Sequence, residues 1–402
     1  MLRIGMLTSG GDCQALNAAM RGVVKGLYAK TEEIEIYGFK EGYKGLMYSD
    51  FDMLTSRDFS GILTVGGTIL GTSRQPFKLM RTPDANGVNK VEAMKHTYHK
   101  LNLDCLVVLG GNGTHKTANL LREEGLNVVT LPKTIDNDLP ITDHCPGYGS
   151  AAKYIAASLK EIIRDNESFG VEKPTVCLVE IMGRHAGWLT AAAALAKGED
   201  CSGVDAIYLP EVTFDVDKFM EKVKHLAETK HSVVIAVSEG VSLADGRFVC
   251  ELADADKKVD AFGHKQLSGT AAYLASLVAA ETGLKTRAVE FSTLQRAATH
   301  LASLTDINEA FQVGFDAVMA AEEGKTGMMI TLDRNGDDPY QCGTSAYDIH
   351  AIANVERPVP AEWITEDGCG LNEGYEKYAR PLIMGELQPL FVNGLPRHLV
   401  RK

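Results

Sequence analysis

The segment NVVTLPKTIDND, residues 127–138, passes from an apolar run directly into a loop that carries two carboxylates. The run from Asn127 to Leu131 predicts a β-strand, and the polar residues after Pro132 predict a loop at its carboxyl end. Open α/β sheets bind their ligands where the strands end. The segment therefore indicates an α/β fold and places a candidate site in the loop.

Five further short apolar runs predict strands of the same kind: Leu2 to Leu7, Cys105 to Leu109, Val176 to Ile181, Ala206 to Leu209 and Val233 to Val237. They are continuously apolar rather than alternating, which is typical of a parallel sheet with helices on both faces. Apolar residues at helical spacing, from Leu16 to Leu27, follow the first run. The pattern predicts stacked βαβ layers.

The composition fits a globular protein of two or three domains in 402 residues. A net charge of −12 argues against general nucleic-acid binding, which needs a basic face. No stretch approaches the roughly 18 to 20 apolar residues that cross a bilayer, and the first residues lack a signal-peptide pattern. The eight cysteines form no C-x-x-C pair, so we predict a reducing, cytoplasmic location.

Three glycine-rich loops stand where phosphate groups could bind: TSGGD at residues 8–12, GGTILGTSR at 66–74 and GGNGT at 110–114. Glycines let backbone N–H groups approach a phosphate, and a helix N-terminus adds a favourable dipole. None is a Walker A loop or a complete dinucleotide fingerprint, and each alone is equally well explained as a tight turn. Their occurrence together predicts a phosphate site.

The acidic loop offers the groups that a phosphoryl transfer needs. Of Asp136 and Asp138, one can accept the proton of an attacking hydroxyl while the other holds Mg²⁺. Lys133 and Thr134 can contact phosphate oxygens. A lone D-x-D is more often a solvated acidic turn, but the neighbouring glycine-rich loops favour the catalytic interpretation.

Arginines and a second glycine turn follow the later strands. The segment EIMGRHAGW, residues 180–188, combines a glycine with an arginine at a strand end, and Glu239 ends the strand Val233 to Val237. Arg287 and Arg296 could clamp a phosphate bidentately. For any single arginine of this group, a surface salt bridge is the commoner role.

These residues resemble the phosphofructokinase family over residues 1–310, through LTSGGD, GGTxLGTSR, GGNGT, PKTIDND, MGRHAGW and the SEG turn in the family's order. The resemblance implies two similar three-layer α/β lobes with mainly parallel sheets, the active site between them, and homodimers or homotetramers. We assign residues 1–139 to a phosphoryl-donor and Mg²⁺ lobe, to which the chain returns after about residue 295. Residues 140–294 form a sugar-phosphate lobe, and 310–402 a C-terminal extension.

The resemblance also implies a role for each matching residue. The donor would be bound by Gly11, Arg74, Gly111, Asn112, Gly113, Thr114 and Lys133. Asp136 would be the general base, with Thr134, Asp138 and Arg184 as further catalytic residues and Asn112 and Asp138 as Mg²⁺ ligands. Fructose 6-phosphate would be bound by Thr134, Asp136, Met182, Gly183, Arg184, Glu239, Arg287, Thr293 and Arg296.

The expected reaction moves the γ-phosphoryl of ATP to the 1-hydroxyl of fructose 6-phosphate and gives fructose 1,6-bisphosphate. In the family, glycine at the position of Gly113 leaves room for a nucleotide, whereas enzymes that use pyrophosphate have an aspartate at this position. Lys133 is the residue common in pyrophosphate users. We weight the steric argument more heavily, so ATP is the expected donor and pyrophosphate the alternative.

Some residues depart from the family pattern. Asn112 replaces an acidic residue. Thr175 replaces an arginine that, in the family, reaches a neighbouring subunit's sugar phosphate. Lys173 could supply the positive charge of that arginine. A catalytically weak regulatory subunit is therefore a second alternative, against which the retained Asp136, Asp138 and Arg184 argue. An NAD kinase would share the GGNGT-type loop but lack PKTIDND and MGRHAGW.

Overall fold

Two mainly parallel β-sheets organise the chain, as the apolar runs predict. The computed structural model describes residues 1–169, 172–252, 267–352 and 356–398. The first sheet has seven strands, in spatial order β11 (Tyr340–Asp348), β10 (Met328–Asp337), β5 (Val128–Pro132), β4 (Cys105–Gly110), β1 (Leu2–Thr8), β2 (Ile34–Phe39) and β3 (Phe51–Leu54). The two edge strands run antiparallel to their neighbours, and the other pairs are parallel.

The second sheet is smaller and entirely parallel. Its four strands are, in spatial order, β7 (Ala206–Tyr208), β8 (Ser232–Ser238), β6 (Thr175–Ile181) and β9 (Lys285–Glu290). A two-stranded hairpin near the C-terminus consists of β12 (Phe391–Val392) and β13 (Leu395–Pro396). The two sheets confirm the predicted fold class, although the lobes differ in size.

Helices cover the sheets and connect their strands. They are α1 (Leu16–Lys30), α2 (Tyr43–Tyr48), α3 (Lys90–Lys100), α4 (Asn112–Glu123), α5 (Tyr148–Glu167), α6 (Trp188–Ala191), α7 (Val216–Thr229), α8 (Thr270–Thr282), α9 (Leu294–Ala297), α10 (Leu304–Glu322) and α11 (Glu373–Ala379). Cys105 and Cys177, which lie in two of the apolar runs, are 3% and 2% exposed. None of the helices among the described residues has the length and apolar content needed to cross a membrane.

Helix α10 brings the chain back to the first lobe, where it packs closely against α1. A Cβ atom on Gly22 would lie 2.0 Å from the carbonyl oxygen of Phe311, and one on Gly314 would lie 2.0 Å from that of Ala19. The two helices can approach so closely only because both positions are glycine.

The region after residue 310 is distributed over both lobes rather than set apart from them. Strands β10 and β11 extend the first sheet beyond β5. Farther on, the amide of Ile207 in the second sheet donates to the carbonyl of Cys369. The ring of Trp363 packs edge-on against Trp188 at 6.0 Å between centroids. The C-terminal segment thus bridges the two lobes, and one hydrophobic core contains side chains from both sheets.

Candidate active site

The register of the first sheet brings three polar loops to one edge. Thr8 pairs with Leu109, and Gly110 pairs with Pro132, so β1, β4 and β5 end side by side. The loops at 9–12, 111–114 and 133–138 follow these ends directly. In the second sheet Ile181 pairs with Ser238, which aligns the loops after β6 and β8 in the same way.

These loops line one cavity of about 490 Å³. The predicted site residues on its surface are Gly11, Arg74, Gly111, Asn112, Gly113, Thr114, Lys133, Thr134, Asp136, Asp138, Met182, Arg184, Glu239 and Arg296. Residues predicted to bind a donor and residues predicted to bind a sugar phosphate therefore face the same space. This convergence is the geometry that a direct transfer between two bound ligands requires.

Three predicted residues do not line this cavity. Gly183 lies just beneath it at φ 147°, where a Cβ atom would be 2.7 Å from the carbonyl oxygen of Ala186, so it shapes the turn. Thr293 precedes α9, and its carbonyl accepts the amide of Arg296 at 3.2 Å. It therefore contacts the backbone of a residue that lines the cavity.

Arg287 is the third, and it lies on the edge strand β9 away from the cavity. Its guanidinium donates to Asp165 at 2.7 Å and stands 3.9 Å from the ring centroid of Phe169. Thr175 lies at the amino end of β6, opposite the cavity edge, where its hydroxyl donates to Asn166 at 3.3 Å. Within one chain, neither Arg287 nor Thr175 reaches the groups around Asp136.

The acidic loop is partly buried, with Asp136 and Asp138 half-buried at the cavity surface, and burial shifts the pKa values of both carboxyls. The pKa of Asp136 is raised by burial, although Lys133 opposes the shift. Burial and the nearby Asp136 together raise the pKa of Asp138 to about 7. The Thr134 hydroxyl accepts the amide of Asp136 at 3.1 Å and fixes the start of the turn. A carboxyl with a pKa near neutrality can accept a proton at physiological pH.

Lys133 connects the acidic loop to the first glycine-rich loop. Its side chain is 3% exposed, and its Nζ donates to the carbonyl oxygen of Gly11. Burial lowers the pKa of this amine, while Asp12 and Asp136 act in the opposite direction. The amine thus lies at the junction of the acidic loop and the first glycine-rich loop.

The third glycine-rich loop forms the start of α4. A Cβ atom on Gly110 would lie 2.3 Å from Oγ1 of Thr114, so only glycine fits the end of β4. Gly113, one residue into the helix, has no heavy atom within 4 Å of an added Cβ. The first turn of α4 presents a helix N-terminus to the cavity, which favours an anion.

Two arginines and a glutamate complete the opposite part of the cavity. Arg184 stands 5.8 Å from the ring centroid of Phe248. Arg296 reaches the first glycine-rich loop, because its Nη1 lies 3.7 Å from the Cβ position of Gly11. Burial raises the pKa of Glu239 to about 7, and its carboxylate accepts the amide of Gly183 at 3.4 Å.

Sequence reasoning missed several lining residues, among them Asp12, Gln75, His185 and Glu356. Asp12 belongs to a quoted motif, and its carboxylate accepts the amide of Thr68 at 3.1 Å, which joins two glycine-rich loops. Glu356 comes from the C-terminal region, where no motif surrounds it. No sequence signal could have assigned it to the site.

Comparison with known proteins agrees with this geometry. The family model described as phosphofructokinase matches residues 3–321. A pyrophosphate–fructose 6-phosphate 1-phosphotransferase of Methylococcus capsulatus is 34% identical over 401 residues, 97% of this chain and 94% of that protein. An ATP-dependent 6-phosphofructokinase of Spirochaeta thermophila is 40% identical over 342 residues, 83% of this chain and 87% of that protein.

A solved structure gives the same result for the fold. The pyrophosphate-dependent phosphofructokinase of Nitrosospira multiformis superposes with a TM-score of 0.87 at 31% identity, covering 99% of this chain and 95% of its own. The match extends through the C-terminal segment as well as the two lobes. The family model and these relatives, together with the cavity, show that the chain is an enzyme that belongs to the phosphofructokinase family.

Proposed function

We propose that this chain transfers a phosphoryl group from pyrophosphate to the 1-hydroxyl of fructose 6-phosphate, giving fructose 1,6-bisphosphate and phosphate. The observation that carries the proposal is that the acidic loop and the glycine-rich loops line one cavity. Asp136 and Asp138 there have raised pKa values, as expected of groups that exchange protons near neutral pH.

The bond changes follow from the positions of the groups. The sugar's 1-hydroxyl oxygen forms a bond to the nearer phosphorus, the bridging P–O bond breaks, and the hydroxyl proton passes to Asp136. The proton then leaves with phosphate or to water. Lys133, Arg184 and Arg296 offset the charge of the phosphates and hold the two ligands in line.

The donor groups of the site fit Mg²⁺, which prefers carboxylate and carbonyl oxygens. Asp138 offers a carboxylate and Asn112 an amide oxygen on the same cavity. Burial of Asp138 beside Asp136 disfavours two negative charges, and a divalent cation would relieve that cost. When bound, the ion supplies charge neutralisation at the phosphate oxygens. Because Asn112 is neutral, Asp138 would provide the charge of the site.

Pyrophosphate replaces the sequence-based expectation of ATP for two reasons. The relatives from Methylococcus and Nitrosospira match nearly the whole chain, and the names of both refer to pyrophosphate. The cavity lining is also polar: among its described residues only Ile135 and Met182 have large aliphatic side chains, and no Phe, Tyr or Trp is present. A nucleotide base generally binds against apolar or aromatic groups, whereas a diphosphate needs none.

ATP is the second candidate, and Gly113 favours it. The open space around its Cβ position leaves room for a further phosphate and a nucleoside. The Spirochaeta relative, which is named ATP-dependent, is 40% identical.

A side-by-side assay tests both the transfer and the donor. Purified protein receives fructose 6-phosphate and Mg²⁺ with either pyrophosphate or ATP, and fructose 1,6-bisphosphate is measured. The Asp136→Asn variant, purified in the same way, controls for contaminating activity. Turnover with ATP but not with pyrophosphate would show that ATP, rather than pyrophosphate, is the donor. If the folded protein forms no product with either pyrophosphate or ATP, the transfer itself is contradicted and the regulatory alternative is favoured.

The homodimer or homotetramer implied by the family resemblance remains a prediction. Light scattering of the purified chain measures the assembly directly. We also retain Arg287 as a predicted sugar-phosphate ligand in such an assembly, because it does not reach the cavity of its own chain.

A further inference from the structure

Arg357, from the C-terminal segment, holds the backbone of the acidic loop. Its guanidinium donates to the carbonyl oxygens of Asn137 at 3.1 Å, Thr142 at 2.9 Å and Asp143 at 2.6 Å. Its own amide donates to the carbonyl of Asp138 at 2.8 Å. One residue thus contacts both the beginning and the end of the loop.

Tyr378, on α11, contacts the same loop through its hydroxyl. That oxygen accepts the side-chain amide of Asn137 at 2.8 Å and donates to the carbonyl of Asp143 at 2.8 Å. The tyrosine ring packs against Trp188 and Trp363, with centroids 5.2 Å and 5.3 Å away. The hydroxyl is therefore held by a packed aromatic cluster and not by a mobile side chain.

Arg357 is itself fixed by the second lobe. Its guanidinium stands 4.6 Å from the ring centroid of Trp188, whose indole N–H donates to the Arg357 carbonyl at 2.8 Å. Trp188 is 1% exposed and belongs to the core shared by both lobes. The loop with the two catalytic carboxyls is thus connected to the sugar-phosphate lobe through this arginine.

Asn137 is the residue on which these contacts converge. It lies between the two carboxylates with φ 54°, in the left-handed region that side chains other than glycine adopt at a cost. It is fully buried, and its side-chain oxygen also accepts the amide of Cys145 at 2.9 Å. A change in this conformation would turn the carboxyls of Asp136 and Asp138 relative to one another.

We propose that Arg357 and Tyr378 are positioning residues that maintain the left-handed turn at Asn137 and so set the relative direction of the two catalytic carboxyls. The inference rests on the proposed function for its catalytic consequence. Both residues lie beyond residues 3–321, the part that the family model matches. The C-terminal segment is thereby part of the catalytic apparatus, although no atom of Arg357 or Tyr378 needs to touch a substrate.

Two substitutions remove the side-chain contacts of these residues with little loss of packing. Tyr378→Phe deletes only the hydroxyl, and Arg357→Lys keeps the charge but replaces the planar fork by one ammonium that cannot reach three carbonyls. Arg380→Met is the matched control. That arginine belongs to the same segment, and its guanidinium pairs with Glu376 at 2.5 Å and the carbonyl of Leu195 at 3.2 Å.

Steady-state kinetics with both substrates gives the first readout. We expect kcat to fall about tenfold in Tyr378→Phe and about a hundredfold in Arg357→Lys, since small misplacements of catalytic groups have effects of this size. Both KM values should change by less than about threefold, and Arg380→Met should match the wild type. A rise in KM at constant kcat, or an unchanged kcat in both variants, would overturn the proposal.

Hydrogen exchange followed by mass spectrometry gives a second readout that does not depend on turnover. Amides of residues 136–145 should exchange faster in Tyr378→Phe and Arg357→Lys, while those of β5 keep the wild-type rate. Unchanged exchange in the loop would overturn the positioning role even if kcat had fallen. If the wild-type protein turns over neither donor, the proposed function fails, and the exchange result still decides whether these residues hold the loop.

Discussion

The side-chain amide of Asn137 donates a 2.8 Å hydrogen bond to the hydroxyl of Tyr378, from which it is separated by 241 positions. Because Asn137 lies between Asp136 and Asp138, this bond fixes the centre of the acidic loop. The carboxyls on either side of Asn137 are half-buried, and burial raises their pKa values. The packing that holds the centre of the loop thus also shifts the pKa values of its carboxyls.

Replacing Asp136 tests its role as general base. Asp136→Asn keeps the shape of the side chain but cannot accept the hydroxyl proton, so kcat should fall by about 10² to 10⁴. The KM values of both substrates should stay within a few-fold of the wild type. Asp200→Asn, at an exposed aspartate paired with Lys160, is the control and should be fully active. Near-normal turnover of Asp136→Asn would remove this residue from its proposed role.

The raised carboxyl pKa values predict an acid limb in the pH–rate profile. Asp138 must be ionised to hold a cation, and its pKa is about 7, so kcat/KM should fall as the pH drops below about 7. An ordinary carboxyl would keep its charge to about pH 4. The measurement is kcat/KM between pH 5.5 and about pH 8.5 at constant ionic strength.

Glu239 needs a control in that experiment, because burial raises its pKa to about 7 as well. Glu239→Gln cannot titrate at this position. Disappearance of the acid limb in this variant would assign it to Glu239, whereas a limb that persists excludes Glu239 as its source. A wild-type profile that is flat down to pH 5.5 would contradict the effect of burial on both groups.

The two cavity arginines should affect different kinetic parameters. Arg184 lies beside Phe248 in the second lobe, so Arg184→Lys should raise the KM of fructose 6-phosphate by about tenfold or more and leave the donor KM nearly unchanged. Arg296 lies beside Gly11, so Arg296→Lys should raise both KM values. Arg247→Lys, at an exposed arginine paired with Asp245, controls for a general effect. Identical kinetic changes in the two cavity variants would contradict this division.

The strands that could be predicted from the sequence are those with a regular apolar pattern. The strands at Cys105–Gly110 and Val128–Pro132 are buried along their whole length, so their apolar runs identify them. Strand β9, Lys285–Glu290, was missed because it is a half-exposed edge strand with three charged residues. Strand β11 has no buried residue and β10 is buried only at residues 329–332, so the sequence pattern does not separate these strands from the C-terminal extension.

The residues that hold the site were harder to predict than those that line it. Lys133 and Asp136 belong to one motif, and their spacing indicates their chemistry. Arg357 and Tyr378 act through contacts with a loop more than 200 positions away, as the Asn137–Tyr378 bond shows with its separation of 241. Neither periodicity nor motif spacing encodes a contact of that range. Arg296 was assigned to the sugar phosphate alone, and only the structure places it beside Gly11.

A buried histidine should make the protein less stable at alkaline pH. Burial alone would lower the pKa of His144, but Glu309 and Asp143 outweigh it and raise the pKa to about 9. Because this exceeds the unfolded value of 6.5, the charged histidine contributes fully below pH 6.5, and its contribution is lost as the pH rises through 9. The loss should be about 3 kcal/mol.

Urea unfolding at two pH values measures this contribution. The free energy of unfolding should be lower at about pH 9.5 than at about pH 6.5, and His144→Gln should reduce that difference. His225→Gln, at a histidine whose side chain is 74% exposed, should keep it. An equal pH dependence in His144→Gln and the wild type would show that the buried histidine is not its source.

Gly113→Asp separates the two candidate donors. The side chain should fit without repacking, because an added Cβ at Gly113 meets no heavy atom within 4 Å. Its negative charge would stand on the cavity surface where the remainder of a nucleotide would extend, so like-charge repulsion should lower any ATP turnover by about a hundredfold or more. Pyrophosphate has no such extension, and its kcat/KM should stay within a few-fold of the wild-type value.

Gly113→Ala adds bulk without charge and should preserve the use of both donors. Loss of pyrophosphate turnover in folded Gly113→Asp, with Gly113→Ala unaffected, would mean that pyrophosphate itself occupies the space beside residue 113, contrary to the proposed arrangement.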